Sequence, residues 1–203
     1  MTQALTTRWT LIQRVFFVLL IAAAGPAGAQ LKGDPERGAT QAKTCVACHG
    51  RTGRGPMSGV PALSGQQSEF ITIQLILIRE GLRDIPDMTG MLKDFKDQDL
   101  ADIGAFFSRM EPFSPRGSRD DARFSAGAEL SKIMGCGSCH MKDYVGQRQV
   151  PRVTNQREEY LAKTLTAYRD NKRSGVDTSM NAVMYKTTDA DIAALAHYLA
   201  HQK

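Results

Sequence analysis

The sequence predicts an all-α fold in which one small domain occurs twice in tandem. All four cysteines fall in two copies of one pentapeptide pattern, Cys45–His49 and Cys136–His140, and Cys136 follows Cys45 by 91 positions. In both halves the apolar residues recur at helical spacing, and no segment shows the alternation that is typical of a strand. A pattern that occurs twice indicates a duplicated domain rather than a solenoid.

The composition excludes several classes of protein. Of the 203 residues, 42% are hydrophobic and 23% are charged, which is typical of a globular chain and argues against wholesale disorder. Four cysteines are too few for a disulfide scaffold. Lysine and arginine are interleaved with aspartate and glutamate, so no basic strip indicates a nucleic-acid partner.

The N-terminal segment has the pattern of a secretory signal peptide. Arg8 and Arg14 precede an apolar run over residues 15–24, and small residues follow up to Ala29. A membrane anchor is the alternative, but this run is too short for a hydrocarbon layer of about 30 Å, which takes roughly 20 residues. Such a signal directs export across the cytoplasmic membrane, and cleavage after Ala29 would remove two arginines and lower the formal charge from +5 to +3.

The repeat continues beyond the cysteines and sets the domain boundaries. Pro61 matches Pro151 at an offset of 90 positions, and Asp97 matches Asp189 at an offset of 92. Prolines, serines and a glycine then interrupt any helix between the two copies. The predicted organisation is a signal peptide at 1–29, a first domain at 30–111, a linker at 112–118 and a second domain at 119–203.

The predicted helices follow from capping residues and apolar spacing. Asp34 and Pro35 predict a helix N-terminus, because aspartate caps a helix and proline fits its first position, and this helix runs toward Cys45. The other predicted helices share apolar residues at helical spacing; they are Ser68–Arg79, Asp97–Met110, Glu159–Arg169 and Thr188–His201. The intervening segments 50–65 and 141–154 are expected to be ordered loops.

The C-x-x-C-H pattern predicts covalent attachment of haem. Two cysteines three positions apart lie on one side of a helical turn and can form thioether bonds to the two vinyl groups of one haem. The adjacent histidine then lies under the iron as an axial ligand. The chain is thus expected to carry two haem c groups; the predicted attachment residues are Cys45, Cys48, Cys136 and Cys139, with His49 and His140 as iron ligands.

Other roles for the cysteines are less well supported. A thioredoxin-like redox pair is expected in a βαβ context, which is missing here. A zinc site would need the two C-x-x-C pairs to meet in space, although each pair has its own histidine in its own repeat. Disulfides between the repeats stay open at this stage.

A methionine pair before the last helix of each repeat supplies candidates for the sixth ligand. The pairs are Met88 with Met91 and Met180 with Met184. A thioether favours ferrous iron and raises the potential, which suits an electron carrier, although most methionines simply fill cores. Met88 and Met180 each lie nine residues before an equivalent aspartate, so they are the matched candidates, with Met91 and Met184 as alternatives.

Two further pairs of residues are candidates for supporting roles. An axial histidine needs an acceptor for its other ring nitrogen, often a backbone carbonyl, and Pro61 and Pro151 follow the two histidines at similar distances; a plain loop turn is the alternative. His197 and His201 lie one helical turn apart near the C-terminus, where we expect a solvated pair favoured by the helix dipole rather than a metal site.

The chain resembles the c4-type family of di-haem class I cytochromes c. The resemblance covers about residues 33–198 and is most specific at Asp87–Leu92, followed by Asp97–Ile103, with Cys45–Gly50 and Pro61–Gln66 also similar. It implies two tandem class I cytochrome c domains with their haems close together and His/Met ligation of both irons. In the second half the loop 141–149 is shorter and basic, and Thr154-Asn155 replaces the expected glycine.

The resemblance also implies periplasmic electron transfer toward a haem-copper terminal oxidase. We therefore expect a carrier without enzymatic activity, whose partners are an oxidase, a quinol-oxidising complex or a flavoprotein dehydrogenase, with peripheral association to membrane complexes. The alternative is the haem subunit of a dehydrogenase complex, such as a flavocytochrome c sulfide dehydrogenase. A di-haem peroxidase would need an open iron and a longer chain.

Overall fold

The computed structural model describes residues 31–114, 117–173, 176 and 178–202. The predicted signal peptide and part of the predicted linker lie outside the described residues. Within the described part of the chain, the regular structure is helical and the only β-type pairing is an isolated bridge between Gln147 and Val150. None of the helices described there is long and apolar enough to cross a membrane.

Both halves of the chain contain the same series of helices. In the first half they are α1 (Pro35–Gln41), α2 (Val46–His49), α3 (Ser68–Arg79) and α4 (Asp97–Ser108), with a 3₁₀ turn at Pro86–Met88 before α4. In the second half they are α5 (Asp121–Ile133), α6 (Cys136–His140), α7 (Glu158–Arg169), α8 (Ser179–Met184) and α9 (Asp189–His201).

The predicted helices are present with small differences at their ends. The bounds of α3 are those predicted, α4 ends at Ser108 rather than Met110, and α7 begins one residue early. Thr188 is the N-cap of α9 rather than its first residue, and its side chain accepts a hydrogen bond from the backbone N–H of Asp191. The sequence did not predict α5 and α8.

The N-terminal helix of each half is fixed against the C-terminal helix of the same half. In the first half α1 and α3 pack against α4, and in the second half α5 and α7 pack against α9. The approach is so close that a Cβ on Gly38 would lie 2.0 Å from the carbonyl oxygen of Asp102. A Cβ on the equivalent Gly127 would lie 2.1 Å from the carbonyl oxygen of Ala194, so both contacts require glycine.

Each half buries its own apolar core, while residues 32–203 together form one compact unit. Partly buried Cys45 and Met88 pack against the first-half core, whose buried members are Ala42, Ile71, Leu75, Leu92, Leu100, Ile103 and Phe107. The second half has two clusters; the first contains Tyr144, Leu161, Ala196, Tyr198, Leu199 and Ala200, and the second contains Leu165, Tyr168, Met184, Ile192 and Leu195.

Candidate cofactor site

The four cysteines are free thiols held on two short helical turns. The amide of His49 donates to the carbonyl of Cys45 at 2.9 Å, which closes the turn that brings both cysteines of the first half together. Cys48 and Cys139 are exposed, and their partners Cys45 and Cys136 are partly buried. None of the four forms a disulfide, so the disulfides between repeats that the sequence left open are absent.

In each histidine of the two motifs, one ring nitrogen, Nδ1, is held in a hydrogen bond, and the other, Nε2, is free to bind another partner. Nδ1 of His49 lies 3.1 Å from the carbonyl oxygen of Pro61, and Nδ1 of His140 lies 2.9 Å from that of Pro151. A carbonyl only accepts, so Nδ1 donates its proton and the lone pair of the neutral ring is at Nε2. Burial lowers the pKa of both histidines, although the prolyl carbonyls oppose this effect. A neutral imidazole with its lone pair at Nε2 is the form that ligates a metal.

The loop that carries each proline keeps the same geometry although its sequence differs. Gly65 and Asn155 both have a left-handed backbone, with φ of 66° and 56°, and asparagine is among the few residues that tolerate it. The amide of Gly65 donates to Phe107 in α4 at 3.0 Å, and the amide of Asn155 donates to Leu199 in α9 at 2.9 Å. Asn155 therefore substitutes for the glycine that the first half has at this place.

The methionine pairs differ in burial in a way that follows the repeat. Met91 is 48% exposed and Val183, its equivalent, is 41% exposed, whereas Met88 packs against the first-half core. Met184 is 2% exposed and occupies the place of the buried Leu92. Met180 is partly buried and packs against the same cluster as Met184.

Two arginines at equivalent positions meet near the boundary between the halves without a carboxylate. Nη2 of Arg83 and Nη1 of Arg173 each lie 3.4 Å from the hydroxyl of Tyr160, and Arg83 donates to Oε1 of Gln74 at 2.6 Å. Among the described residues no ion pair involves either arginine, and the buried Nε of Arg173 has no hydrogen-bond partner. Burial acts to raise the pKa of Tyr160, but Arg173 and Arg83 outweigh it and lower that pKa to about 8. Two partly buried guanidinium groups without a carboxylate beside them make this a place that favours an anion, and no local pattern in the sequence indicates this cluster.

The expectation of a solvated histidine pair near the C-terminus is wrong. His197 is 4% exposed, its Nε2 accepts from the amide of Asp120 at 3.0 Å and its Nδ1 lies 3.0 Å from Glu158. His201 is partly buried, with Nδ1 3.0 Å from the carbonyl of His197. These three side chains are the one metal-sized cluster among the described residues, but both ring nitrogens of His197 are already used, so the arrangement is structural. Among the described residues the cysteine motifs do not form a cluster that could hold a metal ion, which argues against a zinc site.

The donor set of each half fits a covalently bound haem. In each half two thiols lie in the same helical turn as an imidazole whose lone pair is at Nε2. Met88 packs against the same core as Cys45, whereas Met180 and Cys136 pack against the two separate clusters of the second half. A C-x-x-C pair for thioether bonds, with an imidazole and a methionine for the iron, is the set that holds a haem c, and the arginine from each half could bind a haem carboxylate. A fold of short helices that presents this set twice defines a protein with two covalently attached haems.

Comparison with known proteins gives the family. The cytochrome c family model matches residues 35–111 and again residues 124–203. The chain belongs to the cytochrome c family and, within it, to the di-haem cytochromes of the c4 type. It carries two covalently attached haem c groups and is an electron-transfer protein.

Three relatives illustrate this relationship. Cytochrome c4 of Pseudomonas aeruginosa is 32% identical over 180 residues, which cover 84% of this chain and 90% of that protein. The crystal structure of reduced recombinant cytochrome c4 from Pseudomonas stutzeri has a TM-score of 0.79 and 32% identity, with 84% of this chain and 100% of that chain covered. The thiosulfate dehydrogenase electron acceptor of Thiomonas intermedia is 28% identical, and the match covers 80% of each chain.

Proposed function

We propose that this chain is a periplasmic carrier that moves single electrons between a respiratory donor and a terminal oxidase or reductase. The observation that carries the proposal is the histidine geometry, which occurs twice in one compact body. In each half a prolyl carbonyl holds the Nδ1 proton, Nε2 is left for iron, and two thiols lie within one helical turn.

The residues that hold each haem follow from this geometry and from the repeat. The proposed thioether positions are Cys45, Cys48, Cys136 and Cys139, and the proposed axial pairs are His49 with Met88 and His140 with Met180. Haem iron, when bound, supplies one-electron chemistry between its ferrous and ferric states. With a histidine and a methionine both held to ligate the iron, no position on it would stay open for a substrate, which suits a carrier.

Arg83 and Arg173 are proposed to neutralise haem carboxylates. Their charges converge on Tyr160 from the two halves and lack an anionic partner among the described residues. A carboxylate there would satisfy the orphaned Nε of Arg173, because guanidinium groups bind carboxylates through several parallel hydrogen bonds. Because this cluster lies between the halves, it supports an arrangement in which the edges of the two haems lie close to one another.

The sequence pattern of the N-terminal segment supports the periplasmic part of the proposal. Residues 1–29 have the charge, length and cleavage pattern of a secretory signal peptide. We expect the mature protein to begin at Gln30 and to associate peripherally with membrane complexes. N-terminal sequencing of the purified protein checks the first point, and a sequence that begins at Met1 contradicts it.

Direct oxidation by a terminal oxidase tests the carrier function. The reduced holoprotein is mixed with membranes that contain a haem-copper oxidase, and the α-band absorbance of the cytochrome is followed in the presence of oxygen. The proposal predicts rapid loss of the ferrous band that cyanide prevents. An oxidation rate equal to that of the protein without membranes would contradict it.

A second candidate is the electron acceptor of a dehydrogenase complex. The similarity to the thiosulfate dehydrogenase electron acceptor favours it. Affinity purification from the periplasm under mild conditions separates the two functions. Recovery of a dehydrogenase in stoichiometric amount, a flavoprotein included, supports the second candidate, and a free monomer that membranes oxidise supports the first.

A further inference from the structure

At the boundary between the halves, two peptide groups use both their carbonyl oxygen and their N–H in hydrogen bonds to side chains. The carbonyl of the Pro61–Ala62 peptide accepts from Nδ1 of His49 at 3.1 Å, and the N–H of the same peptide donates to Oε1 of Gln156 at 2.8 Å. This one amide therefore connects a histidine of the first half with a glutamine of the second half.

The same arrangement occurs in the opposite direction. The carbonyl of the Pro151–Arg152 peptide accepts from Nδ1 of His140 at 2.9 Å, and its N–H donates to Oε1 of Gln66 at 2.8 Å. Gln66 and Gln156 stand at equivalent positions of the repeat, 90 residues apart. Each half thus supplies the glutamine that binds the peptide behind the histidine of the other half.

Both glutamines are held rigidly. Gln66 and Gln156 are 6% and 7% exposed, so water does not replace their contacts. Nε2 of Gln156 donates to the carbonyl of Ala62 at 2.9 Å, and Nε2 of Gln66 donates to that of Arg152 at 2.9 Å. Each Oε1 also accepts the amide of the next residue in its own chain segment at 2.9 Å, and these bonds fix which end of each side-chain amide is oxygen.

We propose that Gln156 and Gln66 are positioning residues that set the electron donation of the histidine in the opposite half. An acceptor on the N–H of an amide polarises the amide and makes its carbonyl a stronger acceptor. A stronger bond to Nδ1 makes the imidazole a better donor at Nε2, which stabilises ferric iron and lowers the potential. The proposal rests on His49 and His140 as the axial ligands given above.

Exchange of one glutamine for leucine tests the cross-half action. In the holoprotein, Gln156→Leu removes the acceptor from the Ala62 amide, so the potential of the haem on Cys45 rises while that of the haem on Cys136 stays. Gln66→Leu gives the reverse pattern. The potentials are read from redox titrations by NMR, in which each haem is assigned by contacts with the protons of Cys45 or Cys136.

Gln67→Leu is the matched control. Its Nε2 also bonds across the boundary, to the carbonyl of Val145 at 2.8 Å, but it does not contact either histidine-binding peptide. Gln67→Leu is therefore expected to leave both potentials unchanged. A shift in the control as large as in Gln156→Leu would show that loosening the boundary is the cause and would overturn the proposal.

Gln156→Glu is expected to shift the first-half potential in the direction opposite to Gln156→Leu. This variant keeps the size of the side chain, so the test does not depend on whether the fold accepts leucine at this position. A carboxylate of the same size accepts more strongly from the Ala62 amide but cannot donate to the Ala62 carbonyl as Nε2 of Gln156 does. The redox titration is therefore run at a pH at which the introduced carboxyl is ionised, and there the first-half potential falls. An upward shift there, or a shift confined to the haem of the second half, contradicts the relay. If both haems are attached and no potential moves in any variant, the relay alone is wrong; if the unmodified chain binds no haem, the proposed function is wrong.

Discussion

At the residue scale the central feature is the fixed proton on Nδ1 of two buried histidines. The sequence identified these residues because the C-x-x-C-H pattern specifies chemistry locally, within five positions. It also identified Pro61 and Pro151 as candidate acceptors, and the structure places their carbonyls at 3.1 and 2.9 Å from the two rings. Arg83 and Arg173 could not be identified in this way, because their significance depends on partners in the other half.

Replacement of Met88, the proposed sixth ligand of the first haem, is expected to change the potential of that haem but not its attachment. Met88→Ala removes a thioether that favours ferrous iron, so the first-half potential should fall while both thioether bonds remain. Met91→Ala is the control, because Met91 is 48% exposed and should leave the potential as it is. A redox titration checks both variants, and an unchanged potential in Met88→Ala would reject Met88 as ligand.

At the element scale the two halves use one contact between helices and stabilise it differently. In the first half the buried carboxylate of Asp102 in α4 accepts from the amide of Asp34 at 2.7 Å and from Nε of Arg37 at 2.7 Å. In the second half Ala194 stands at the place of Asp102, and α5 begins earlier, at its N-cap Asp120. The amide of Asp120 donates at 3.0 Å to Nε2 of His197, three residues after Ala194 in α9. The duplication has kept the pairing of the two helices but has moved and changed the polar contact at their ends.

This difference predicts an acid-sensitive first half. Burial acts to raise the pKa of Asp102, but hydrogen bonds from Arg37, Asp34 and Gln98 outweigh it and hold that pKa below its usual range. A depressed pKa contributes stability above the unfolded value of about 3.9, and this contribution is lost as the pH falls through the folded value.

The check is acid unfolding of Asp102→Asn beside the unmodified protein. The free energy of unfolding, measured in urea at a series of pH values, should fall below about pH 4 in the unmodified protein. The variant should be less stable at neutral pH and should lose less on acidification. Parallel pH curves for the two proteins would contradict the role given to Asp102.

The close approach of α1 and α4 predicts that a single methyl group is destabilising. Gly38→Ala places a Cβ 2.0 Å from the carbonyl oxygen of Asp102, so the two helices must separate. We expect a loss of about 3 kcal/mol in the free energy of unfolding, measured by denaturant titration. Gly117→Ala is the control, since a Cβ there meets nothing within 4 Å; equal stability of the two variants would contradict the packing account.

The sequence predicted most helices but not all, for a physical reason. The stretches that became α3 and α9 have many apolar residues at helical spacing, and Thr188 and Asp191 form a capping box at the start of α9, so their positions could be read locally. The helix α5 has a weak apolar stripe, with only Gly127 and Ser131 buried, and it is held by close contact with α9 rather than by its own pattern. The helix α8 is only six residues long, too short for periodicity to define.

At the scale of the whole molecule, duplication places two equivalent redox sites in one body. Reciprocal bonds from Gln66 and Gln156 join the halves at the backbone that holds the histidines. Each site is therefore completed by the other half, which favours a chain that transfers electrons as a pair of coupled centres.

The haem content of the protein purified from the periplasm tests the central claim most directly. Intact-mass spectrometry under denaturing conditions is combined with peptide mapping of Cys45–His49 and Cys136–His140. The account predicts the mass of the processed chain plus two haem groups, with one haem on each peptide. A mass equal to that of the bare polypeptide, or both peptides recovered with free thiols, would contradict it.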